Sequence, residues 1–339
     1  MSRPCRPVPT LMPPAAIASG VGVTCLLLAL VCVDAASLVA AQSPKLERRA
    51  AQEPITPVPA VPAQDPRRVA LGEQLFQDRR MSGDSARSCS SCHDTRTNGA
   101  SANALDTTPQ GKLLALNTPT VFNVALNYRL NWEGNFRSLE RQAEQALRNP
   151  ADMASSVEEV VDRLRADPTT VKHFREAYGR VPDRNSLLDA IATFERSLIT
   201  PGSRFDLWLG GDTGAITREE LAGYQLFKSL GCISCHQGVN LGGNLFQRHG
   251  IFHPLGSPEP ELVRVPSLRN VATTAPYFHD GSVATLPEAV RAMGIAQLDR
   301  VLTGEQITGI VAFLNTLTGS YKGMRVIPGA SAPHSRPPS

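Results

Sequence analysis

Cysteine, strand-like patterning and excess charge are all scarce in this 339-residue chain. Cys5, Cys25 and Cys32 lie near the N-terminus and the other four cysteines form two close pairs, so none is left for a framework of structural disulfides. The formal net charge is only +3, and no basic stripe interleaved with aromatic residues occurs, which argues against a nucleic-acid-binding protein. Alternation of polar and apolar residues is rare, which argues against a fold built mainly from strands.

The N-terminus has the order of residues typical of a secretory signal peptide. Arg3 and Arg6 precede an apolar stretch over residues 21–33, and a small-residue site, Val39-Ala40-Ala41, follows. The apolar stretch is short for a membrane span. We therefore predict a signal peptide over residues 1–41, with an uncleaved membrane anchor as the alternative.

Two further segments are rich in proline and poor in aliphatic residues. We predict a flexible Pro/Ala-rich linker over residues 42–66 and a flexible tail over residues 321–339, because such stretches cannot bury a core. The stretch between them is long enough for two modest domains. We place these domains at residues 67–206 and 207–320.

The motif C-x-x-C-H occurs twice and contains all four remaining cysteines, as Cys89-Ser-Ser-Cys92-His93 and Cys232-Ile-Ser-Cys235-His236. Two thiols at this spacing can each form a thioether with a haem vinyl group, while the adjacent histidine reaches the iron. A zinc site or a redox dithiol is the alternative, but zinc needs no histidine after each pair and a thioredoxin-like dithiol belongs to a βαβ pattern. We predict two covalent c-type haems with His93 and His236 as iron ligands. Export to the periplasm fits, because bacterial c-type haem is attached there.

The two halves of the chain repeat one another. Four pairs of segments or residues match in order: Gly72–Phe76 with Gly223–Phe227, Pro119–Ala125 with Pro266–Ala272, Gly134 with Gly281, and Leu139 with Leu286. The register holds without a gap after the second pair. We interpret this repeat as a gene duplication that produced two homologous haem domains.

Most of each half is predicted to be helical. Apolar residues recur at three-to-four spacing in residues 157–165, 186–197, 218–230 and 304–317. Thr217 and Thr303, followed three residues later by Glu220 and Gln306, predict capping boxes. The pattern predicts a mainly α protein of two tandem class I cytochrome c-like haem domains.

Met293 is the predicted second axial ligand of the C-terminal haem. Ligation by histidine and methionine raises the reduction potential, as an electron-relay haem requires. The alternatives are that Met293 fills a gap in the core, or that His249, His253 or His279 binds the iron. Met324 is less suitable because it follows the closing helix.

The N-terminal haem has no such ligand at the matching position, where the chain has Ala146. Met153 and His173 are the nearby candidates, and His173 lies in a polar helical stretch that favours the surface. An iron with an open position can bind a small oxidant such as peroxide, whereas a fully ligated iron mainly passes electrons. This asymmetry predicts an enzyme rather than a carrier.

With these motifs in this order, the chain resembles the bacterial dihaem cytochrome c peroxidase family, which includes the dihaem enzyme that matures tryptophan tryptophylquinone. Besides the haem motifs, the resemblance rests on residues 71–76, 117–120, 132–134, 138–140, 149–153, 265–272 and 275–281. It implies that hydrogen peroxide is reduced at the N-terminal haem, and that a small cytochrome c or a cupredoxin donates electrons to a high-potential C-terminal haem. Relatives are often dimers, so a homodimer is expected.

The resemblance also implies roles for residues outside the haem motifs. Trp132 matches a tryptophan that lies between the haems and assists electron transfer, although without the resemblance it would pass for a core aromatic. Asn117, Thr274 and Pro276 match positions that hold a calcium ion at the domain interface, through the oxygen ligands that this ion prefers.

Gln142 matches the glutamine of the family's peroxide pocket. Asp152 stands where the family has glutamate, so its acid is one methylene shorter. Cleavage of peroxide needs a group that moves a proton from one oxygen to the other, and we predict that Asp152 does this. Glu140 and Glu144 are further carboxylates nearby, and a solvated helix face also accounts for them.

The loop Asp94–Leu116 contains no histidine. Many peroxidases of the family hold a distal histidine there, at a position near Pro109, until the other haem is reduced. We therefore predict a site that is open without reductive activation, as in the quinone-maturing relative. That relative has a tyrosine on its second haem, whereas Met293 favours the peroxidases.

Three functions are compatible with the sequence. The leading hypothesis is a periplasmic peroxidase that reduces hydrogen peroxide to water. The second is an enzyme that uses high-valent iron to oxidise a residue of a partner protein. The third is a dihaem electron carrier without catalytic activity.

Overall fold

The computed structural model describes residues 53–329. The predicted signal peptide, residues 42–52 of the predicted linker and residues 330–339 of the predicted tail lie outside the described residues. The described part is mainly helical, which confirms the predicted fold class. Within it, no helix has both the length and the apolar character needed to cross a membrane.

Helices account for most of the regular structure in residues 53–329. The α-helices are α1 (Pro66–Gln77), α2 (Leu139–Arg148), α3 (Val157–Arg165), α4 (Pro168–Tyr178), α5 (Arg184–Ser197), α6 (Arg204–Leu209), α7 (Arg218–Ser229), α8 (Leu286–Leu298) and α9 (Gly304–Asn315). Short 3-10 turns occur at Arg79–Met81, Cys89–Ser91, Val124–Leu126, Cys232–Ser234 and Val271–Thr273. Two antiparallel strand pairs complete the fold: β1 (Phe246–Arg248) with β2 (Leu262–Arg264), and β3 (Ser320–Tyr321) with β4 (Met324–Arg325).

The helix starts follow from capping chemistry. The predicted capping boxes at Thr217 and Thr303 begin α7 and α9, and Ser156 and Asp183 form the same arrangement at α3 and α5. In each box, the side chain of the cap residue accepts a hydrogen bond from the N–H of the third helical residue. The side chain of that third residue accepts a hydrogen bond from the N–H of the cap residue. These reciprocal bonds fix where each helix begins.

Two large hydrophobic cores and one small cluster, of Leu130, Leu139 and Ala192, lie in the described part of the chain. The first is formed mainly by α1 to α5 and includes Phe76, Phe174 and Phe194; the second is formed mainly by α6 to α9 and includes Phe227 and Phe313. In each half the helix before the haem motif packs against the last helix, α1 against α5 and α7 against α9. The duplication seen in the sequence is therefore a duplication of the fold.

Gly72 and Gly223 lie at these two helix crossings. A Cβ atom at Gly72 would lie 2.0 Å from the carbonyl oxygen of Ala190, and one at Gly223 would lie 1.9 Å from that of Gly309. We expect Gly72→Ala to lower the free energy of unfolding by about 1–3 kcal/mol, because the two backbones must separate. Denaturant unfolding of the holoprotein measures the change.

Gly304→Ala is the matched control, because Gly304 is also helical and an added Cβ would meet nothing within 4 Å. If Gly72→Ala proved as stable as this control, the close approach of α1 and α5 would be wrong.

The backbone repeats the same special conformation in both halves. Asn123 and Asn270 both adopt left-handed conformations, with φ of 60° and 61°, and each begins a 3-10 turn. Their side-chain amides donate to the same hydroxyl, Thr200 Oγ1, at 2.7 and 3.0 Å. The two matched loops therefore meet at one residue and fix the relation between the haem domains.

The expectation of a flexible linker is wrong for residues 53–65. Ile55 and Val58 are buried, and the Val58 N–H donates to Asp206 Oδ1 at 3.2 Å. Asp206 also forms a buried ion pair with Arg269, with 2.8 Å between Oδ1 and Nη1. The contacts join residues far apart in sequence, so the proline-rich composition gave no sign of them.

The expectation of a flexible tail is likewise wrong for residues 321–329. The β3–β4 hairpin returns to the N-terminal core, where Val326 is buried. Tyr321 packs on Phe122, with ring centroids 5.1 Å apart, and Lys322 pairs with Glu73 at 2.8 Å. Residues 321–329 therefore follow the C-terminal domain in the chain and pack against the N-terminal domain.

Candidate functional site

A cavity of about 290 Å³ is lined mainly by residues of the C-terminal half and also by residues of the N-terminal half, among them Ala100 and Trp132. Cys232, Cys235 and His236 line it from the haem motif, and Met293 lines it from α8. His236 Nδ1 lies 3.0 Å from the carbonyl oxygen of Leu241, and donation to that oxygen leaves Nε2 free to bind a metal. Burial lowers the pKa of His236, which favours the neutral imidazole that a metal ligand requires. This donor set fits a c-type haem.

The rival axial ligands are engaged elsewhere. His249 lines the cavity, but both of its ring nitrogens lie 3.1 Å from carbonyl oxygens. His279 Nε2 lies 2.9 Å from the Ser257 carbonyl oxygen, and His253 pairs with Asp299 at the surface. Met324 is exposed. Met293 therefore remains the predicted ligand of the C-terminal haem.

The N-terminal haem motif has the same local construction. His93 Nδ1 lies 3.2 Å from the carbonyl oxygen of Gly99, and burial lowers the pKa of His93. Phe76 flanks His93 at 6.4 Å between ring centroids, and its duplicate Phe227 flanks His236 at 6.2 Å. Both motifs could therefore hold the same cofactor, because Nε2 of each histidine is the ring nitrogen left to bind a metal.

The two sites differ at the position of the second axial ligand. Ala146, the counterpart of Met293, lies on α2 and has no ligating atom. Met153 is buried in the N-terminal core, and His173 is half-buried on α4. None of these residues supplies a ligand like Met293.

The predicted acid Asp152 lies in the turn after α2 and is half-buried. Asn149 Nδ2 donates to its carboxylate at 2.8 Å. Burial raises the pKa of Asp152, while the bond from Asn149 and the attraction of His93 oppose the rise. The acid thus lies within electrostatic range of the predicted iron ligand His93. Gln142 is half-buried on α2.

The other carboxylates on α2 are occupied by ion pairs. Glu140 pairs with Arg196, and Glu144 pairs with both Arg184 and Arg148. Each has the role of a helix-surface residue rather than of a free acid. Asp152 is therefore the better candidate for proton transfer.

Trp132 is buried and lines the C-terminal cavity. Its Nε1 donates to the Asn117 carbonyl oxygen at 2.8 Å, and its ring meets that of His279 edge-on at a centroid distance of 6.4 Å.

The repeat aligns Trp132 with His279 and Asn117 with Arg264. The backbone bonds between these four residues are reciprocal, because Asn117 N donates to His279 O and Arg264 N donates to Trp132 O, both at 2.7 Å. Trp132 and its counterpart His279 thus lie next to each other, on either side of the pseudo-twofold axis that relates the two halves.

The predicted calcium residues Asn117, Thr274 and Pro276 all line the same cavity. In the described residues no group of three or more His, Cys, Asp or Glu is placed to hold a metal ion. The predicted site would use amide, hydroxyl and carbonyl oxygens instead, so it stays a prediction.

Sequence reasoning missed a buried acid beside the N-terminal haem motif. Glu195 on α5 is 5% exposed, and its Oε2 has no hydrogen-bond partner. Burial, followed by repulsion from Glu140, raises the pKa of Glu195 to about 8. Its counterpart is Leu314, which lines the C-terminal cavity. Extending the repeat to the last helix of each half would have revealed this substitution of acid for leucine.

Comparison with known proteins agrees with this architecture. Residues 66–214 match the family model described as di-haem cytochrome c peroxidase, and residues 221–318 match the cytochrome c model. Over 309 residues the chain is 37% identical to cytochrome c551 peroxidase of Nitrosomonas europaea, covering 85% of this chain and 92% of that protein. It is 34% identical over 245 residues to methylamine utilization protein MauG of Methylorubrum extorquens, covering 66% of this chain and 67% of that protein.

A solved structure shows the same fold. The crystal structure of a MauG-like protein associated with microbial copper homeostasis matches with a TM-score of 0.67 and 27% identity, covering 78% of this chain and 93% of that one. The family models account for both haem motifs and imply two c-type haems. Since similarity extends through both haem domains and along nearly the whole of a peroxidase, the chain belongs to the di-haem cytochrome c peroxidase family of oxidoreductases.

Proposed function

We propose that this protein is a periplasmic peroxidase that reduces hydrogen peroxide to water at the N-terminal haem site, with electrons that enter one at a time at the C-terminal site. The supporting observation is the inequivalence of the sites, because Met293 lines the C-terminal cavity with His236 whereas the N-terminal counterpart is Ala146. When bound, the first haem supplies an iron with a free position and the second supplies an electron relay.

The residues of the N-terminal site would handle the protons. Asp152 takes a proton from one peroxide oxygen and returns it to the leaving oxygen, so that two further protons and two electrons complete the formation of water. Gln142 orients the peroxide by hydrogen bonding. Trp132 shortens the distance that an electron must cross, because its ring lies between the domains.

The same proposal extends to partners and ions. The donor is a small cytochrome c or a cupredoxin that docks at the C-terminal domain, and two copies of the chain form a homodimer. Asn117, Thr274 and Pro276 hold a calcium ion at the domain interface. Export by the signal peptide places the protein in the periplasm.

Oxidation of a partner protein is the second candidate. The loop Asp94–Leu116 offers no histidine to close the N-terminal site, and the similarity to MauG covers two thirds of this chain. The loop is also held in place, because Asp106 accepts from Ser101 at 2.8 Å and from Thr118 at 2.6 Å. Such a permanently open site would serve either reaction.

Steady-state kinetics of the holoprotein separates these functions. With peroxide and a reduced small c-type cytochrome, the peroxidase oxidises two donor molecules for each peroxide consumed. A long-lived oxidised protein that consumes the donor poorly would favour oxidation of a partner. A holoprotein that does not react with peroxide in any redox state would leave only electron transfer.

A further inference from the structure

Arg264 is a buried cation that has no ion-pair partner among residues 53–329. It ends β2, and its residue is only 5% exposed. Its Nε donates to the Asn131 carbonyl oxygen at 3.1 Å, but Nη1 is buried with no hydrogen-bond partner. A buried charge is costly unless a group of opposite charge and hydrogen bonds compensate it.

The part of the chain that the structure describes supplies no group of opposite charge to Arg264. Burial alone lowers the pKa of Arg264 to about 10, and no carboxylate in residues 53–329 forms an ion pair with it. Arg269 is also buried, but its charge is compensated by the Asp206 carboxylate, which lies 2.8 Å away. Arg264 keeps its position through backbone contacts and leaves part of its guanidinium free for a ligand.

The cavity next to Arg264 indicates the ligand. Arg264 lines the same cavity as Cys232, Cys235, His236 and Met293. A haem attached there brings two propionate carboxylates, and a guanidinium binds carboxylates through paired N–H donors. We propose that Arg264 binds a propionate of the C-terminal haem. This inference rests on the placement of that haem in the proposed function.

Arg264 also forms hydrogen bonds with the segment of the N-terminal half that contains Trp132. Its backbone N–H donates to the Trp132 carbonyl oxygen at 2.7 Å, and its Nε holds the preceding carbonyl, that of Asn131. Its counterpart in the first half is the uncharged Asn117. The pseudo-symmetric domains thus differ by a fixed positive charge, located beside the haem that is to receive electrons.

A cation paired with a propionate stabilises the ferrous state of the haem, because it compensates negative charge close to the iron. Arg264→Met leaves that carboxylate uncompensated and favours the ferric state. At the wild-type midpoint potential, we expect the ferric-to-ferrous ratio of the C-terminal haem to rise about tenfold, a fall of about 59 mV for a one-electron couple.

Potentiometric titration of the holoprotein tests this, with haem content and axial ligation measured on the same samples. Arg264→Lys keeps the charge and is expected to recover most of the wild-type potential. Arg218→Met is the control, because Arg218 is exposed at the start of α7 and is not among the residues that line the cavity. Its potential should match that of the wild type.

Several results would overturn the inference. One is an unchanged potential in Arg264→Met with both haems present. Another is an equal fall in Arg264→Lys and Arg264→Met, which would assign the effect to packing. A wild-type potential that varies with phosphate or chloride at constant ionic strength would assign a solvent anion to Arg264. Failure of donor-driven peroxide turnover would instead contradict the proposed function, and the titration would remain interpretable.

Discussion

Replacing Asp152 by asparagine is expected to lower kcat for peroxide reduction by about 10²- to 10⁴-fold, the usual contribution of a positioned proton-transfer group. Asparagine has the same shape and can keep a hydrogen bond with Asn149, but it cannot accept and return a proton. The measurement is donor oxidation at saturating peroxide. Binding of the donor at the other domain should be unchanged.

Two variants make this result specific. Asp162→Asn removes an exposed acid from the neighbouring helix α3 and should leave the rate unchanged. Asp152→Glu restores the residue that the family resemblance implies and should keep or raise the rate. Full activity of Asp152→Asn would mean that another group moves the proton.

The pH dependence of the rate gives a second signature. Asp152 must be ionised to accept a proton, and burial raises its pKa above that of an exposed aspartate. As pH falls, the rate of the wild type should therefore begin to drop at a higher pH than an exposed aspartate would give. This acid limb should be absent from the residual activity of Asp152→Asn.

Replacing Met293 by leucine is expected to reduce donor-driven turnover by at least about tenfold, because loss of the thioether ligand lowers the potential of the C-terminal haem. Leucine preserves the apolar volume on α8, so the effect should come from ligation rather than from packing. Loss of the absorption typical of sulfur-ligated ferric haem should accompany the change. The reaction of the pre-reduced enzyme with a single equivalent of peroxide should be much less affected.

Met324→Leu is the control, because Met324 is 68% exposed on β4. It should leave both the spectrum and the turnover unchanged. If Met293→Leu retained the sulfur-ligated spectrum and the wild-type potential, Met293 would be a core residue and another group would bind the iron.

Local patterns predicted much of this molecule. The helix α3 begins where apolar spacing predicted, and α7 and α9 begin where apolar spacing and capping residues predicted, because caps and amphipathic faces act over a few residues. The register of the repeat pairs Asn123 with Asn270, and the structure shows both in the same left-handed conformation. The haem motifs could also be recognised from local sequence, because each consists of five consecutive residues.

The features that sequence reasoning missed depend on contacts between distant segments. The Val58 N–H donates to the Asp206 carboxylate, and Val326 is buried in the first core, although composition alone indicates a linker and a tail. Arg264 and Glu195 are ordinary charged residues in sequence, and only the fold shows that each is buried without a full set of partners. Burial is a property of the whole molecule, so no short pattern reports it.

Electron paramagnetic resonance of the resting ferric holoprotein tests the central claim most directly. The account predicts two different spectra in one molecule: a low-spin iron with histidine and methionine ligands, assigned to the C-terminal haem by its loss in Met293→Leu, and an iron with a free or exchangeable position at the N-terminal haem. Two low-spin signals, both with two protein ligands and neither changed by added small ligands, would contradict it.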